Sequence, residues 1–456
     1  MKWVRFAPSP TGLLHVGNAR AALLNYLYAQ QEGAQFLLRI DDTDTERSKP
    51  EFVEAIKHDL GWLGISWNRI EFQSARLSQY KHAAEQLRSI GRLYPCYETP
   101  EELAFQRKAL LTQGKPPVYN RAALTLSIKE RKSLEEAGRI PYWRFRLHED
   151  RISWEDGIYS TRIFEGTYAS DPVLIRADGV PVYTLASVVD DLEFGISCVI
   201  RGADHITNTA VQIQLLEALN PTGVAHISWA HYPLFRMRSG EELSKRAGSM
   251  SLQSLREEGI HPLAVNSFLA TLGTSEALDS SLSLEDLIAR FGLTKINLAE
   301  AQFDPQDLRR FNQHVLSKLS FKAVETDLYQ AGITISPEFW VAVRENINSL
   351  KDVARWKEIC FGTPFLETPE EDLSFLKACL HCAENASDTF ADSSTWESFV
   401  KELSQSTGRR GRHLFHSLRR VLTGQDSGPE LHVLISFIGR TRMMERIRGQ
   451  ISATAL

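Results

Sequence analysis

The sequence predicts an α/β protein in which a parallel sheet of the nucleotide-binding type is interrupted by an insertion and followed by an all-α bundle. Three observations carry that expectation. The first 65 residues alternate short apolar strands with amphipathic helices, the pattern of a parallel sheet covered by crossover helices. The alternation lapses over residues 96–170 and returns at Val173. Beyond about residue 310 strand signals nearly vanish while helical periodicity continues. At 456 residues the chain has room for about three domains of ~150 residues.

Bulk properties narrow the class. No run of 18 apolar residues occurs, and the N-terminus enters a strand at once, so neither a membrane span nor a signal peptide is expected. The five cysteines, odd in number and scattered, do not resemble a secreted disulfide framework, which makes a cytoplasmic location the expectation. With a formal charge of −5, any site for a polyanion has to be local.

The first strand is expected at Trp3 to Ala7, followed by Pro8-Ser9-Pro10-Thr11-Gly12, where the prolines and the glycine force a sharp break. From His15 on, Val16, Ala19, Leu23 and Leu27 recur at helical spacing. A strand, a tight turn and a helix N-terminus form a natural phosphate site. His15 and Asn18 are one turn apart and can both donate to phosphate oxygens; the plainer alternative is a histidine that only caps the helix. Gly17 is expected to leave room for a flat base or ribose against the backbone.

Gln35 to Ile40 reads as a second strand, with Asp41 at its C-terminal end, where open α/β sheets bind ligands. Glu51 to Leu63 reads as an amphipathic helix, and residues 76 to 94 as another. Charged helices near 100–113 and 127–138 and an alternating strand at Tyr142–Leu147 make up the insertion. The second half of the sheet then follows: a strand at Val173–Arg176, a turn at Asp178-Gly179, a helix carrying Asp190 and Asp191, a strand at Ser197–Gly202 and a helix at Thr209–Leu219. The polar run Gly240-Glu241-Glu242-Leu243-Ser244-Lys245-Arg246-Ala247-Gly248 reads as a mobile loop. In the helical third, Glu367 to Glu397 is acidic, whereas Arg409 to Arg448 holds nine arginines against three acids. Such a cluster suits a phosphate backbone or an unstacked RNA loop.

The string Pro8-Ser9-Pro10-Thr11-Gly12 to His15-Val16-Gly17-Asn18, the strand end Arg201-Gly202-Ala203-Asp204-His205 and the loop Leu243-Ser244-Lys245-Arg246 occur in one order. With them the chain resembles the bacterial glutamyl-tRNA synthetases, class I aminoacyl-tRNA synthetases. The resemblance is strong over 3–47 and 171–275, clear again at Gly411-Arg412 to Gly439-Arg440, and weak between about 315 and 400. It implies a Rossmann-type catalytic domain in two halves, 1–95 and 171–235, with an inserted tRNA acceptor-binding domain at 96–170. A lysine-loop and stem-contact domain at 236–310 and a helical anticodon-binding domain at 311–456 would follow.

The resemblance also implies the chemistry. Glutamate attacks the α-phosphate of ATP to give glutamyl-adenylate, and the terminal ribose of tRNA then takes the glutamyl group. His15, Asn18 and Lys245 would be the catalytic residues, and His15, Gly17, Asn18, Asp204, Leu243, Ser244 and Lys245 would bind ATP, which brings Mg²⁺ as its substrate complex. Arg5, Ala7, Ser9, Asp41, Tyr183 and Arg201 would line the glutamate pocket, Arg5 forking on the γ-carboxylate and Asp41 taking the α-amino group. Arg409, Arg410, Arg412, Arg419 and Arg420 would bind tRNA. The expected partners are tRNA-Glu, L-glutamate and ATP, with no membrane and a monomeric chain. Activation of glutamate would need the tRNA.

Three departures stand out: Asp41 where the family commonly has glutamate, Ala203 where it commonly has Glu, and Glu241 and Glu242 where lysines usually precede the loop core. Charging of tRNA-Gln, alone or with tRNA-Glu, is the nearest alternative, and an inactive RNA-binding paralogue a further one, against which His15, Asn18 and Lys245 speak. No structural zinc is expected. Cys96 is followed two residues on by Glu98, no cysteine lies near Tyr119, and Cys379, His381 and Cys382 lack the second pair that a site of about four ligands needs.

Overall fold

Strands whose apolar side chains are buried on both faces need cover on both sides, and this chain supplies it by crossing over with helices. In chain order the strands are β1 (Trp3–Phe6), β2 (Gln35–Ile40), β3 (Arg69–Phe72), β4 (Leu93–Cys96), β5 (Tyr142–Phe145), β6 (Arg151–Asp156), β7 (Ser160–Glu165), β8 (Val173–Ile175), β9 (Ile196–Gly202) and β10 (Ser228–Tyr232). The helices among them are α1 (Val16–Gln31), α2 (Pro50–Trp62), α3 (Leu77–Ser89), α4 (Pro100–Thr112), α5 (Ile128–Glu136), α6 (Tyr183–Glu193) and α7 (Ile206–Leu219). The structure is a computed structural model describing residues 2–221, 226–240, 250–280, 283–362, 372–386, 390 and 393–454. It forms two compact units, Met1–Leu255 with Asn266–Asp304, and Arg256–Val265 with Pro305–Leu456.

In the first unit a seven-stranded sheet has the order β3-β2-β1-β9-β10-β6-β7. Every pairing is parallel except the β6–β7 hairpin. The connections leave β1 toward one edge and β9 toward the other. The resulting crevice, at the C-terminal ends of β1 and β9, is where doubly wound sheets bind ligands.

The insertion is less self-contained than the sequence suggests. β4, which ends at Cys96, and β8, after residue 170, flank β5 in a separate three-stranded sheet. The β6–β7 hairpin, by contrast, extends the large sheet, because Trp154, Ile152 and Phe164 pack in one cluster with Val199, Leu215 and Trp229. The helix expected over 76–94 stops at Ser89: Gly91 (φ +70°) turns the chain, and Leu93–Cys96 pairs antiparallel with Tyr142–Phe145. Pro95 is tolerated because β4 is an edge strand.

In the second unit every described element from Pro305 onward is helical. The helices close on a core that includes Phe339, Trp340, Phe375, Leu403, Leu418 and Leu434. Among the described residues, no helix is long and apolar enough to cross a membrane. All five cysteines are free thiols.

Candidate active site

The crevice holds together the described residues expected to bind the two small substrates: Arg5, Ala7, Ser9, His15, Gly17, Asn18, Asp41, Tyr183, Arg201 and Asp204 all line one cleft. His15 is both a cap and a wall of it. Its Nδ1 accepts from the backbone N–H groups of Gly17 (3.0 Å) and Asn18 (3.3 Å), and the Asn18 Oδ1 accepts from the His15 N–H (3.3 Å). That reciprocal pair closes a capping box at the start of α1. Burial lowers the His15 pKa. The ring is therefore a neutral imidazole with its proton on Nε2. Gly17 lines the cleft beside that ring. A Cβ there would lie 2.8–2.9 Å from the His15 ring and meets nothing else within 4 Å, so the glycine makes room for the histidine.

Behind the cleft lies a buried ionic network. Arg39, an isolated charge in the apolar strand β2, is fully buried and grips both oxygens of Asp41, at 2.7 and 3.0 Å. It also donates to Asp191 Oδ1 (3.0 Å), which accepts from Arg5 Nε (3.2 Å) as well. The neighbouring Asp190 accepts from Arg76, Gln73 and Tyr80. Burial pushes the Asp41 pKa up to about 6 against the pull of Arg39. Arg5 is thus held through Nε, its terminal nitrogens left for the cleft.

Arg201, on the adjacent strand β9, is held in the same way from another direction. Its Nε donates to His231 Nε2 (3.2 Å) and its Nη2 to Thr209 Oγ1 (2.6 Å). Its Nη1 is enclosed without a well-formed hydrogen bond among the described residues, and the Tyr183 side chain interacts with the guanidinium. Burial lowers the Arg201 pKa from its ordinary value, yet an arginine stays charged at neutral pH. Sequence reasoning misses Arg39, Asp156, Thr209 and His231, and reads Asp190 and Asp191 only as helix residues. The available signal was a charge or imidazole inside an otherwise apolar strand: Arg39 in Gln35–Ile40 and His231 in Ser228–Tyr232.

Leu243, Ser244 and Lys245, like Glu241 and Glu242, lie outside the described residues. One flank of that segment lines the cleft and the other is bonded to the start of α1 and the residue before His15. Gly240 lines the cleft, and on the other side the Met250 carbonyl accepts from Val16 N–H (3.2 Å) while Leu252 N–H donates to the Leu14 carbonyl (2.8 Å).

Most arginines of the basic stretch in the second unit have partners within the protein. Arg409 bonds Ser417 and Asp372 and stacks on Phe375, and Arg419 donates to the Pro429 carbonyl. Arg420 pairs with Asp426. Arg446 is buried among the carbonyls of Leu422, Ile359 and Gly362, and Arg448 pairs with Glu384. Basic and acidic stretches thus meet through Arg409–Asp372 and Arg448–Glu384. Arg410, Arg412 and the paired Arg448 are exposed.

In the insertion, Tyr119 Oη lies 3.6 Å from Cys96 Sγ and donates to Glu98 (2.6 Å), which also accepts from Tyr142 (3.1 Å). Cys379 and Cys382 face the core of the second unit, whereas His381 is exposed.

Residues 3–310 match the catalytic domain of class I tRNA synthetases (E and Q), and residues 310–451 match an anticodon binding domain. The chain is 46% identical over 449 residues to the glutamate–tRNA ligase of Azospirillum brasilense, covering 98% of this chain and 99% of the relative. It is 44% identical to glutamate–tRNA ligase 1 of Ruegeria pomeroyi, over 95% and 97% of the two chains. The crystal structure of a glutamate tRNA ligase from Elizabethkingia meningosepticum in complex with its amino acid superposes with a TM-score of 0.83 at 27% identity, over 99% of each chain.

Proposed function

The chain belongs to the glutamate–tRNA ligases of the class I synthetases, and from that premise we propose how its own residues attach L-glutamate to tRNA, with tRNA-Glu as acceptor. In the first step a glutamate α-carboxylate oxygen bonds to the α-phosphorus of ATP and pyrophosphate leaves. In the second, the terminal ribose hydroxyl of tRNA attacks the activated carbonyl and AMP leaves. A carboxylate is ionised at neutral pH, so activation needs no general base. It needs alignment and stabilisation of the charge that builds up on phosphate oxygens.

His15 supplies that stabilisation through Nε2–H, since its Nδ1 is committed to the helix. Asn18 supplies it through its amide NH₂, since its Oδ1 is committed to the His15 backbone. Lys245, on the segment that follows the cleft-lining Gly240, meets the departing pyrophosphate, and Mg²⁺ arrives with ATP. The observation that carries the amino-acid half is the pair of buried arginines, Arg5 and Arg201, each gripped through Nε and each lining the cleft. Two such groups suit the two carboxylates of glutamate. The neutral amide of glutamine would leave a buried guanidinium partly unpaired. Asp41 receives the α-ammonium: two oxygens offer about four acceptor sites, and Arg39 takes two.

ATP–pyrophosphate exchange with glutamate, with and without tRNA-Glu, tests this reading. Exchange is expected only with tRNA present. Lys245→Ala should lower kcat by about 10²–10³ with a smaller change in the KM for ATP, as for loss of one preorganised donor. Full activity in Lys245→Ala would overturn its assignment.

A further inference from the structure

Arg201 is held by a relay that reaches back to the inserted hairpin. An arginine nitrogen can only donate, so the contact of Arg201 Nε with His231 Nε2 (3.2 Å) requires that nitrogen to be bare. The imidazole proton is then on Nδ1, which donates to Asp156 Oδ2. Asp156 is the last residue of β6. Its Oδ1 accepts from the backbone N–H groups of Ile158 (3.1 Å), Tyr159 (3.0 Å) and His231 (3.2 Å). Burial raises the Asp156 pKa, but these bonds outweigh it and hold the carboxyl below its ordinary value, and burial lowers the pKa of His231. The pair is therefore an ionised aspartate beside a neutral imidazole. Both side chains are fully buried.

The two cleft arginines are thus anchored differently. Arg5 is anchored by a carboxylate, Asp191, that offsets part of its charge. Arg201 is anchored by uncharged acceptors, His231 and Thr209, while its guanidinium also lies 5.1 Å from the centre of the Trp229 ring. A neutral anchor fixes the fork without cancelling its charge, so the guanidinium keeps its positive charge beside the cleft that Arg201 lines.

We propose that His231, locked in its Nδ1–H tautomer by Asp156, is a positioning residue that aims Arg201 at a carboxylate of glutamate. The proposal rests on the assignment of Arg201 to glutamate binding. The β6–β7 hairpin brings the relay together: Asp156 pairs with Trp229 of β10 and so stands beside His231 two residues on. Asp156 is fully buried and is not among the residues lining the cleft, so it acts through the tautomer of its neighbour.

Asp156→Asn tests this at constant shape. The amide oxygen can keep the backbone bonds while its NH₂ faces Nδ1, which forces the imidazole proton onto Nε2 and sets two donors against each other. The KM for glutamate in tRNA charging should rise about tenfold or more, with kcat and the KM for ATP within about threefold. His231→Leu, which keeps bulk and removes the acceptor, should show the same split. His231→Gln should stay near the wild-type glutamate KM, because its carboxamide presents an N–H toward Asp156 and an oxygen toward Arg201. If Asp156→Asn does not fold, the Leu and Gln variants of His231 carry the test. Wild-type glutamate KM in both Asp156→Asn and His231→Leu, or an equal loss in every kinetic constant, overturns the positioning role. An unchanged glutamate KM in Arg201→Ala instead overturns the assignment beneath it.

Discussion

His15 is asked to do two things, and substitution can separate them. It caps α1 through Nδ1 and presents Nε2 to the cleft. His15→Ser retains a capping oxygen, so thermal stability should change by less than about 1 kcal/mol. Loss of the Nε2–H donor should still cost about 10²–10³ in kcat. Gly17→Ala should imitate the kinetic defect, since its Cβ would displace the ring. Asp41 predicts a pH effect. Its pKa of about 6 lies above the ordinary carboxylate value, so the carboxylate that would receive the α-ammonium is lost as pH falls through 6. The KM for glutamate should therefore rise below pH 6, and Asp41→Asn should have a high KM without that dependence. The sign for stability is opposite: between the ordinary value and 6 the folded chain binds the extra proton, so the contribution of Asp41 to stability declines as pH rises across that window. At this scale the residues lining the cleft were legible, because the motifs that carry them are local runs such as 5–18. The residues that hold them were not, because Arg5 meets Asp191 and Arg39 meets Asp191 across 186 and 152 positions of sequence.

Among the elements, the alternation of β1, α1, β2 and α2 could be read directly, since each is short and bounded by its own turn signals. The placement of β6–β7 could not, because a hairpin's periodicity does not say which sheet its edge joins. The arginine-rich helices show a second limit of composition. Arg446 satisfies carbonyls at the ends of two helices, Gly411–Thr423 and Lys351–Phe361, where a cation also complements the helix dipole. Arg446→Ala should destabilise the chain by roughly 2–3 kcal/mol, read as a lower Tm, since it strands buried acceptors. Alanine at the exposed Arg410 and Arg412 should leave Tm nearly unchanged. If these two contact phosphate, their joint loss should weaken tRNA binding and lower the slope of log K against log salt by about 1 per residue.

At the scale of the molecule, the sequence boundary near residue 310 falls close to the break between Asp304 and Pro305, but residues 256–265 cross it. They belong with the second unit, where Glu258 pairs with Arg309, and the N–H of His261 donates to Asn312. A chain ending at Asp304 would strip these partners away. It should be less stable than the catalytic unit of the intact chain and should fail to charge full-length tRNA. That segment was illegible because its membership depends on contacts with residues about 50 positions later. The central claim, that the cleft of two anchored arginines selects glutamate for transfer to tRNA, is tested most directly by charging purified tRNA-Glu with glutamate and with glutamine in parallel, using the full chain. Glutamate should esterify the tRNA terminus, favoured over glutamine in kcat/KM by at least about a thousandfold. Comparable charging with glutamine, or no charging with glutamate, would contradict it.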